Sequence, residues 1–243
     1  MSFIVGLLTI AMMASAPVDG PAMERTPPAS IAYGDDGIWV GALNRRLADA
    51  GFHPDVGNEF GRRTRHAVYA LQKHHGLETT GRITEDMWDL LDVPIRLPVR
   101  AERNRVEVDL AKQVLYLVEE GSVTLVLPIS SGSGEAYRNG RGGISRARTP
   151  EGKYTFDWKV NGVRRSYLGT LYNPYYFHSA GYAIHGSPSV PNFPASHGCI
   201  RLTYWDMDLI KTKIELGWSI YVYGQRTPPP APYAVPFPPP VAL

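Results

Sequence analysis

The spacing of apolar residues along this chain changes from helical to alternating near residue 95. From residue 35 to residue 94, apolar side chains recur every three or four positions, which predicts amphipathic helices. The first two stripes consist of Leu43, Leu47 and Ala50, and of Thr64, Ala67, Val68 and Leu71. Thr84 is a candidate N-cap for a third helix. We therefore expect a small three-helix domain of about 60 residues.

Beyond a connector at Pro94–Pro98, apolar and polar residues alternate in the way typical of β-strands. The expected strands are Val106–Leu110, Val114–Val118, Val123–Ile129, Lys153–Val160, Gly181–Ile184 and Trp218–Tyr223. The polar, glycine-rich segment Ser130–Ser145 predicts a long loop, and the apolar stripe of Thr203–Leu216 predicts a helix. The pattern indicates a multidomain α+β fold. A small three-helix N-terminal domain is followed, over residues 99–225, by a predominantly β domain, a mixed-sheet sandwich with one helix.

Both ends of the chain differ in composition from the two domains. Residues 1–22 contain an apolar run from Phe3 to Ala14, which is too short to cross a bilayer comfortably and is typical of a signal peptide or N-terminal anchor. An ordinary buried N-terminal helix is the alternative. Residues 23–34, rich in proline, alanine and serine, predict a linker. Residues 226–243 contain eight prolines and predict an extended tail.

Charge and cysteine content exclude several classes of function. The net charge of +2, with scattered basic residues, gives no electrostatic reason to expect nucleic acid binding. A single cysteine excludes an internal disulfide framework and a cysteine-rich zinc site. His66, His74 and His75 have no carboxylate pattern or thiol beside them, so we interpret them as surface histidines rather than metal ligands. No metal or organic cofactor is expected.

The candidate chemistry is concentrated between His185 and Arg201. This segment holds Cys199, with His197 two residues before it and His185 fourteen residues before it. A thiol attacks as its thiolate, and a nearby imidazole supplies the base that it needs. The backbone N–H groups of Gly198 and Cys199 are candidate donors to the oxyanion of a tetrahedral intermediate. The pattern indicates acyl transfer; the alternative is a buried structural cysteine beside two incidental histidines.

The same segment resembles the catalytic signature of the L,D-transpeptidases, the YkuD-type domain. In that signature a histidine precedes a Ser/Thr-His-Gly-Cys element, and the matching positions here are His185 and Ser196–Arg201. Thr149–Gly152 is similar to the T-P-x-G turn of the same family. The helical region resembles the peptidoglycan-binding domain type 1. The residues that carry this second resemblance are Leu43, Leu47, Phe60–Arg65, Ala67, Val68, Leu71, Gln72, His75–Leu77, Thr80, Gly81 and Trp88.

The resemblance to the transpeptidases implies an exported bacterial cell-wall enzyme that acts on peptidoglycan stem peptides. Cys199 would attack the carbonyl of the third stem residue and release the terminal D-Ala. An amine of a neighbouring stem would then take the acyl group, giving a 3→3 cross-link. His185 is implied as the base, with its tautomer set by the backbone carbonyl of Gly186. His197 would orient the thiol or line the oxyanion hole, to which Gly198 would contribute its N–H.

Five further residues are candidate contacts to substrate: Ser196, Arg201, Tyr167, Tyr172 and Tyr176. Ser196 donates either to the loop or to the substrate. Arg201 either meets a substrate carboxylate or holds the loop through backbone carbonyls. The tyrosines either wall the donor cleft or are aromatic residues of a sheet surface.

Three other functions remain open from the sequence. An L,D-carboxypeptidase would pass the same thioester to water. A non-catalytic wall-binding protein would use residues 35–94 as its anchor, and a redox-sensing thiol module would need a resolving cysteine, which the sequence lacks. Contact with a membrane is expected only through an uncleaved N-terminal segment.

Overall fold

A helical domain, a β-sheet and a second β-sheet are stacked in that order. The computed structural model describes residues 27–140 and 142–224. The α-helices are α1 Ile38–Asp49, α2 Arg62–His75 and α3 Tyr204–Ile210. The strands are β1 Ser30–Ile31, β2 Ile83–Thr84, β3 Arg105–Asp109, β4 Val114–Glu119, β5 Ser122–Pro128, β6 Ala136–Arg138, β7 Ile144–Arg146, β8 Gly152–Thr155, β9 Trp158–Lys159, β10 Val163–Ser166, β11 Gly169–Tyr176, β12 Ala183–Gly186, β13 Ile200–Leu202 and β14 Ser219–Tyr223. The predictions for residues 1–22 and 226–243 fall outside the described residues.

Helices α1 and α2 form where the apolar stripes predict them. Leu43 and Leu47 of α1, and Val68 and Leu71 of α2, are fully buried. Helix α2 ends at Gly76, which adopts the left-handed conformation with a φ of 70°, as glycine commonly does just beyond a helix. The two apolar faces therefore form the centre of the helical domain.

The third helical element is a 3-10 helix over Glu85–Asp92 rather than an α-helix. Thr84 precedes it but caps no backbone N–H, because its hydroxyl donates to the carboxylate of Asp86. Thr84 therefore occupies the predicted N-cap position, but without the side-chain hydrogen bond of a cap. Trp88 and Leu91 are the buried residues of this element, so its short turns still cover one side of the helical core.

Part of the predicted linker belongs to the helical domain. Strand β1 pairs antiparallel with β2, so that Ile31 lies opposite Ile83. Ile31 is only 2% exposed and packs into the helical core. The linker prediction for residues 23–34 is therefore wrong at its C-terminal end, where apolar burial fixes the chain.

The central sheet has the strand order β5-β4-β3-β14-β8. Strand β14 runs parallel to β3, and the other neighbours are antiparallel, so the sheet is mixed. Leu115 and Leu117 of β4 face the main core, whereas Val114 and Tyr116 face the helical domain. Both faces of β4 are covered, which explains why its sequence is apolar at nearly every position.

The second sheet has the order β10-β11-β12-β13, with β9 also paired to β11. One face packs on the main core through Ile184, Ile200 and Leu202, which are fully buried. Strands β12 and β13 are parallel, with His185 opposite Arg201. The two sheets and α3 enclose the main core as a mixed-sheet sandwich, which leaves the outer face of the second sheet for a cleft.

Three elements of the β domain differ in extent from their predictions. Lys153–Val160 is not one strand, because β8 belongs to the central sheet and β9 to the second sheet. Phe156, fully buried in the main core, lies where the chain crosses between the sheets. The predicted loop Ser130–Ser145 contains the hairpin β6–β7, and α3 ends at Ile210 rather than at Leu216.

The helical domain and the β domain share an apolar core. Phe52 forms a parallel bridge with Val126 of β5, and Tyr116 is 1% exposed in the same cluster. Lys73 of α2 donates from Nζ to the carbonyl oxygen of Ile129 over 3.0 Å. The two domains are therefore joined by buried apolar and polar contacts as well as by the chain.

The interpretation of His66, His74 and His75 as surface histidines is wrong, since all three are half-buried. His66 packs edge-on against Trp205 of α3, with 5.5 Å between ring centroids. His74 Nδ1 lies 2.9 Å from the hydroxyl of Tyr116, and burial lowers the pKa of His74 to about 4. His66 and His74 are therefore part of the contact between the two domains.

Two features of the described ranges concern ions and membranes. Across residues 27–140 and 142–224, no group of three or more His, Cys, Asp or Glu side chains is arranged to hold a metal ion. None of the helices in those ranges combines the length and apolar character needed to span a bilayer.

Candidate active site

Two parallel strands place the candidate nucleophile and base on one face of the second sheet. Ile184 lies opposite Ile200 in the main core, and His185 lies opposite Arg201. Because side chains alternate along a strand, His185 and Arg201 face away from the core. Cys199 directly precedes β13 and packs on the same outer side. His185, Cys199 and Arg201 line one cleft of about 530 Å³.

The imidazole of His185 is held by the chain itself. Its Nδ1 lies 2.9 Å from the carbonyl oxygen of Gly186, the contact that the family resemblance implies. A carbonyl oxygen only accepts, so Nδ1 carries the proton and Nε2 is the unprotonated nitrogen. Burial lowers the pKa of His185 to about 4; the hydrogen bond to Gly186 opposes this effect and the positive charge of Arg201 adds to it. The ring is therefore neutral at neutral pH.

Cys199 lines the cleft and is half-buried. Burial raises the pKa of the Cys199 thiol, while the backbone N–H of Ala183 and the positive charge of Arg201 act in the opposite direction. The thiol donates a long hydrogen bond to the carbonyl oxygen of Gly181, 4.0 Å from Sγ. At rest the cleft therefore holds a neutral thiol and a neutral imidazole.

The loop before Cys199 is tied together by the hydroxyl of Ser196. This hydroxyl donates to the carbonyl oxygen of Cys199 over 2.6 Å and accepts from the backbone N–H of Gly198 over 3.0 Å. Ser196 is 3% exposed. The structure shows the predicted contact to the loop. Ser196 also lines the cleft, so its assignment to substrate binding stays a prediction.

The N–H of Gly198 is not free to bind an oxyanion, because it already donates to Ser196. The assignment of this N–H to the oxyanion hole is corrected on that ground. Gly198 is required for another reason: its φ is 133°, and a Cβ there would lie 2.4 Å from Cε1 of Tyr182 and 2.8 Å from the carbonyl oxygen of Arg148. Only glycine fits this close approach.

Thr149 of the T-P-x-G turn holds the other side of the loop. Its hydroxyl donates to the carbonyl oxygen of Gly198 over 2.8 Å and accepts from the backbone N–H of Gly132 over 3.0 Å. Thr149 is 2% exposed. The turn, noted from the sequence without a role, therefore supports the backbone next to the nucleophile.

His197 and two of the predicted tyrosines line the cleft. The imidazole of His197 is half-buried and packs edge-on against Tyr137, with 4.7 Å between ring centroids. Tyr167 is 67% exposed at the rim, and Tyr176 is buried in the wall. Tyr137, which the sequence analysis missed, lies on the hairpin β6–β7 that was predicted as loop.

Tyr172 does not line the cleft, and its assignment to substrate binding is wrong. Its ring packs on the main core and against Tyr204, and its hydroxyl donates to Asp208 over 2.9 Å. The register of β11 shifts between Tyr172 and Tyr175, with Asn173 at a φ of 47°. This bulge turns Tyr172 to the opposite face of the sheet from Tyr176.

One wall of the cleft is an aromatic stack with a cation, which the sequence analysis did not find. The rings of Trp158 and Tyr176 are parallel, with centroids 3.7 Å apart. The guanidinium of Arg164 lies 4.8 Å from the Trp158 centroid and 5.3 Å from that of Tyr176. The alternating pattern of the predicted strand Lys153–Val160 placed Trp158 on one face of a strand. It did not show that Tyr176, from another strand, stacks on Trp158.

The side chain of Arg201 faces the cleft without a fixed partner. Its backbone pairs with Ser130 through two hydrogen bonds. Within the described parts of the chain, its guanidinium makes no hydrogen bond or ion pair, so it does not hold the loop through backbone carbonyls. Of the two predicted roles, the structure leaves Arg201 available to a substrate.

Two family models match this chain. A model of the L,D-transpeptidase catalytic domain matches residues 103–222, and a model of a putative peptidoglycan binding domain matches residues 39–91. Among solved structures, the L,D-transpeptidase from Xylanimonas cellulosilytica has 36% sequence identity and a TM-score of 0.75, over 82% of this chain and 100% of that chain. This chain belongs to the L,D-transpeptidase family.

Further comparisons add little to this assignment. An L,D-transpeptidase from Stackebrandtia nassauensis has 21% identity and a TM-score of 0.48, over 83% of this chain and 98% of that chain. No curated protein matches the sequence. Both resemblances predicted from the motifs, and the predicted multidomain α+β fold, are confirmed for this L,D-transpeptidase family member.

Proposed function

We propose that this protein cross-links peptidoglycan as an L,D-transpeptidase, with Cys199 as nucleophile and His185 as base. The observation that supports this proposal is the parallel pairing of β12 and β13, since it aims both side chains into one cleft. Hydrogen bonding of Nδ1 to Gly186 leaves Nε2 of His185 as the acceptor for the thiol proton.

In the first step, Nε2 of His185 takes the thiol proton while Sγ of Cys199 attacks the carbonyl carbon of the third stem residue. Because the thiol pKa is raised and the imidazole pKa is lowered, proton transfer accompanies the attack rather than preceding it. The tetrahedral intermediate collapses when the imidazolium returns the proton to the nitrogen of the leaving D-Ala. A thioester on Cys199 and free D-Ala result.

Negative charge on the oxyanion needs donors other than Gly198. The N–H of Cys199 and the imidazole of His197 are the remaining groups next to the sulfur along the chain, and we assign oxyanion stabilisation to them. Arg201 adds a positive charge on the same face of the sheet as the sulfur. This charge favours the anionic sulfur and the oxyanion over the neutral resting state.

In the second step, the thioester is transferred to an acceptor. A side-chain amine of a neighbouring stem attacks the carbonyl carbon, His185 takes the amine proton, and Cys199 leaves as thiolate to be reprotonated. The product is a 3→3 cross-link. Water in place of the amine gives an L,D-carboxypeptidase. We favour transpeptidation because the family matched here is named for it and a putative peptidoglycan binding domain accompanies it.

The same proposal covers location and partner. An enzyme of this family works on cell-wall peptidoglycan, so we propose that the chain acts outside the cytoplasmic membrane. Its partners are stem peptides of peptidoglycan, bound without a metal or organic cofactor, because an imidazole, a thiol and backbone dipoles suffice for acyl transfer.

The proposal is tested with the full chain and a stem tetrapeptide. Cys199→Ala and His185→Ala are each expected to abolish formation of the thioester, the cross-linked dimer and the free tripeptide. His75→Ala is the matched control, because His75 is the last residue of α2 in the helical domain and does not line the cleft. Dimer as the main product supports transpeptidation, and tripeptide alone supports the carboxypeptidase.

A carbapenem provides an independent probe of the nucleophile. Intact-mass spectrometry is expected to detect one adduct on the full chain and none on Cys199→Ala. An adduct that persists in Cys199→Ala, or turnover of the tetrapeptide by that variant, contradicts the assignment of the nucleophile.

A further inference from the structure

A second cavity, of about 540 Å³, lies between the helical domain and the β domain. Its walls are formed by Tyr33, Arg62, Arg65 and His66 of the helical domain, and by Pro188–Pro191 and Trp205 of the β domain. Pro188 and Ser189 also line the active-site cleft. One loop therefore separates this junction cavity from the cleft that holds Cys199.

The junction cavity is cationic. Arg62 and Arg65 line it, and no Asp or Glu does. Within the described residues the Arg62 side chain has no hydrogen bond or ion pair, while the guanidinium of Arg65 lies 4.6 Å from the centroid of Tyr33. Asp206, the acid whose charge acts on His66, has its carboxylate engaged with His53 Nδ1 (2.8 Å) and with the hydroxyl of Thr203. Two arginine charges thus remain uncompensated.

Three polar atoms of this cavity wall are buried without a partner. They are Nε of Arg65, Nδ1 of His66 and Nε1 of Trp205, and none has a hydrogen-bond partner among the residues that the structure describes. Buried side-chain nitrogens in this state are uncommon in folded proteins and call for an explanation. Six such atoms occur in the described ranges, and half of them are at this cavity. A bound acceptor group at this wall would satisfy the two donors among them, Nε of Arg65 and Nε1 of Trp205.

We propose that the junction cavity binds the free carboxylate of a peptidoglycan stem peptide, and this inference rests on the function proposed above. Arginine pairs with carboxylate through two parallel hydrogen bonds. The indole N–H of Trp205 is a donor and the imidazole of His66 becomes one when Nδ1 carries the proton. Tyr33 and Trp205 supply ring faces for the apolar side chains of the stem.

The shared loop explains why a stem peptide is the occupant. Peptidoglycan carries a stem on each repeating unit, and each uncross-linked stem ends in a carboxylate. A stem in the cleft and a second stem in the junction cavity would lie on the two sides of Pro188 and Ser189. The cavity therefore selects strands that still have uncross-linked stems.

The inference is tested by an NMR titration of the full chain, carrying Cys199→Ala, with a stem tetrapeptide. The indole N–H signals of two tryptophans report separately on the two sites. Trp158 reports on the cleft and Trp205 on the junction cavity, each assigned by its replacement with Phe. We expect the peptide with a free C-terminal carboxylate to shift both signals. Its C-terminal amide is expected to shift Trp158 and leave Trp205 unchanged.

Arginine variants test the charge. Arg65→Gln together with Arg62→Gln is expected to weaken the affinity read at Trp205 at least about tenfold, as loss of a charge-assisted pair does. Arg63→Gln removes the same charge from an exposed position of α2 that does not line the cavity, and should leave that affinity unchanged. Arg65→Lys keeps the charge and the fold but lacks the paired donors, and an intermediate affinity is expected.

Several outcomes overturn the inference. These are a Trp205 signal that does not move, one that moves equally with the amide, and equal effects of the cavity variants and Arg63→Gln. Binding to isolated wall material that is lost only when phosphate polymers are stripped from it also contradicts a carboxylate site. Failure of the proposed function has a different signature: wild-type protein that forms no thioester, whatever the Trp205 signal does.

Discussion

Nδ1 of His185 lies 2.9 Å from the carbonyl oxygen of its neighbour Gly186, which fixes the tautomer of a ring that is 5% exposed. Burial lowers the pKa of this imidazole from 6.5 to about 4. The base is therefore neutral, and competent to take a proton, at every pH above about 4. We expect the rate constant for acylation of Cys199 to fall as pH drops through about 4, with no step near 6.5.

The measurement is the second-order rate constant of acylation by a carbapenem across the acidic range, with circular dichroism to verify that the chain stays folded. As the pH falls from 6.5 to about 4, the native state keeps His185 neutral while the unfolded chain takes up a proton. The contribution of this residue to the free energy of unfolding therefore decreases as the pH falls through that range. A half-maximal rate near pH 6.5 under folded conditions would show that the base is an ordinary exposed histidine.

Gly198→Ala tests the close approach beside the nucleophile. A Cβ at this position meets Tyr182 at 2.4 Å and the backbone of Arg148 at 2.8 Å, so the loop must move and carry Cys199 with it. We expect a loss of acylation of about 100-fold and of about 2–4 kcal/mol in the free energy of unfolding. Gly134→Ala is the control: its φ is 81°, but nothing lies within 4 Å of its Cβ position. It should cost about 1 kcal/mol with acylation unchanged.

Ser196→Ala removes the hydroxyl that joins the carbonyl of Cys199 to the N–H of Gly198. Two buried backbone groups lose their partner, so we expect a loss of about 1–3 kcal/mol in the free energy of unfolding. The rate constant of acylation is expected to fall about tenfold while the apparent affinity for substrate changes little, because Ser196 positions the thiol rather than binding the peptide. Ser122→Ala, at an exposed serine of β5 that does not line the cleft, should alter neither. A rise in KM at constant kcat would instead assign Ser196 to substrate binding.

Lys73→Met tests the buried amine between the domains. Burial lowers the pKa of Lys73 from 10.5 to about 7, so the native state holds fewer protons than the unfolded chain between those values. Stability contributed by this residue therefore rises with pH across that window and is lowest below pH 7. Methionine removes the charge and leaves the carbonyl of Ile129 unpaired; the net expectation is about 1–2 kcal/mol of stabilisation at pH 6 and none at high pH.

Urea unfolding of wild type and Lys73→Met at several pH values measures the difference. Lys112→Met, at an exposed lysine of the same region, should reproduce the pH slope of the wild type. A Lys73→Met variant that is less stable than wild type at pH 6 would mean that the bond to Ile129 outweighs the desolvation of the amine.

The helical stripes and the nucleophile motif were readable from the sequence because each depends on a local pattern. Leu43 and Leu47 determine one buried face of α1, and Cys199 is the only thiol. The face of Tyr172 was not readable, because strict alternation places it with Tyr176 whereas a bulge at Asn173 places it with the core. No local sequence pattern predicts that bulge.

The hydrogen bonds of the site were equally hidden. The motif identifies Ser196 and Gly198, but only the folded loop shows that the N–H of Gly198 donates to the hydroxyl of Ser196. The contact between the domains was missed for a related reason. The apolar character of Tyr116 and its neighbours in β4 fits a strand covered on one face or on both, and sequence periodicity does not distinguish a sheet core from a domain interface.

The burial of Tyr116 and Val126 beneath α2 constrains how this enzyme reaches its substrate. Within residues 27–140 and 142–224, the helical domain is seated on the central sheet through a shared apolar core, so its position relative to Cys199 is fixed. With the function proposed above, an enzyme built in this way would form cross-links at a constant distance from the strand that its helical domain binds. Cutting the chain at Pro94–Pro98 would expose the apolar face of the central sheet that the helical domain covers. The β domain alone is therefore expected to aggregate rather than to act as a smaller enzyme.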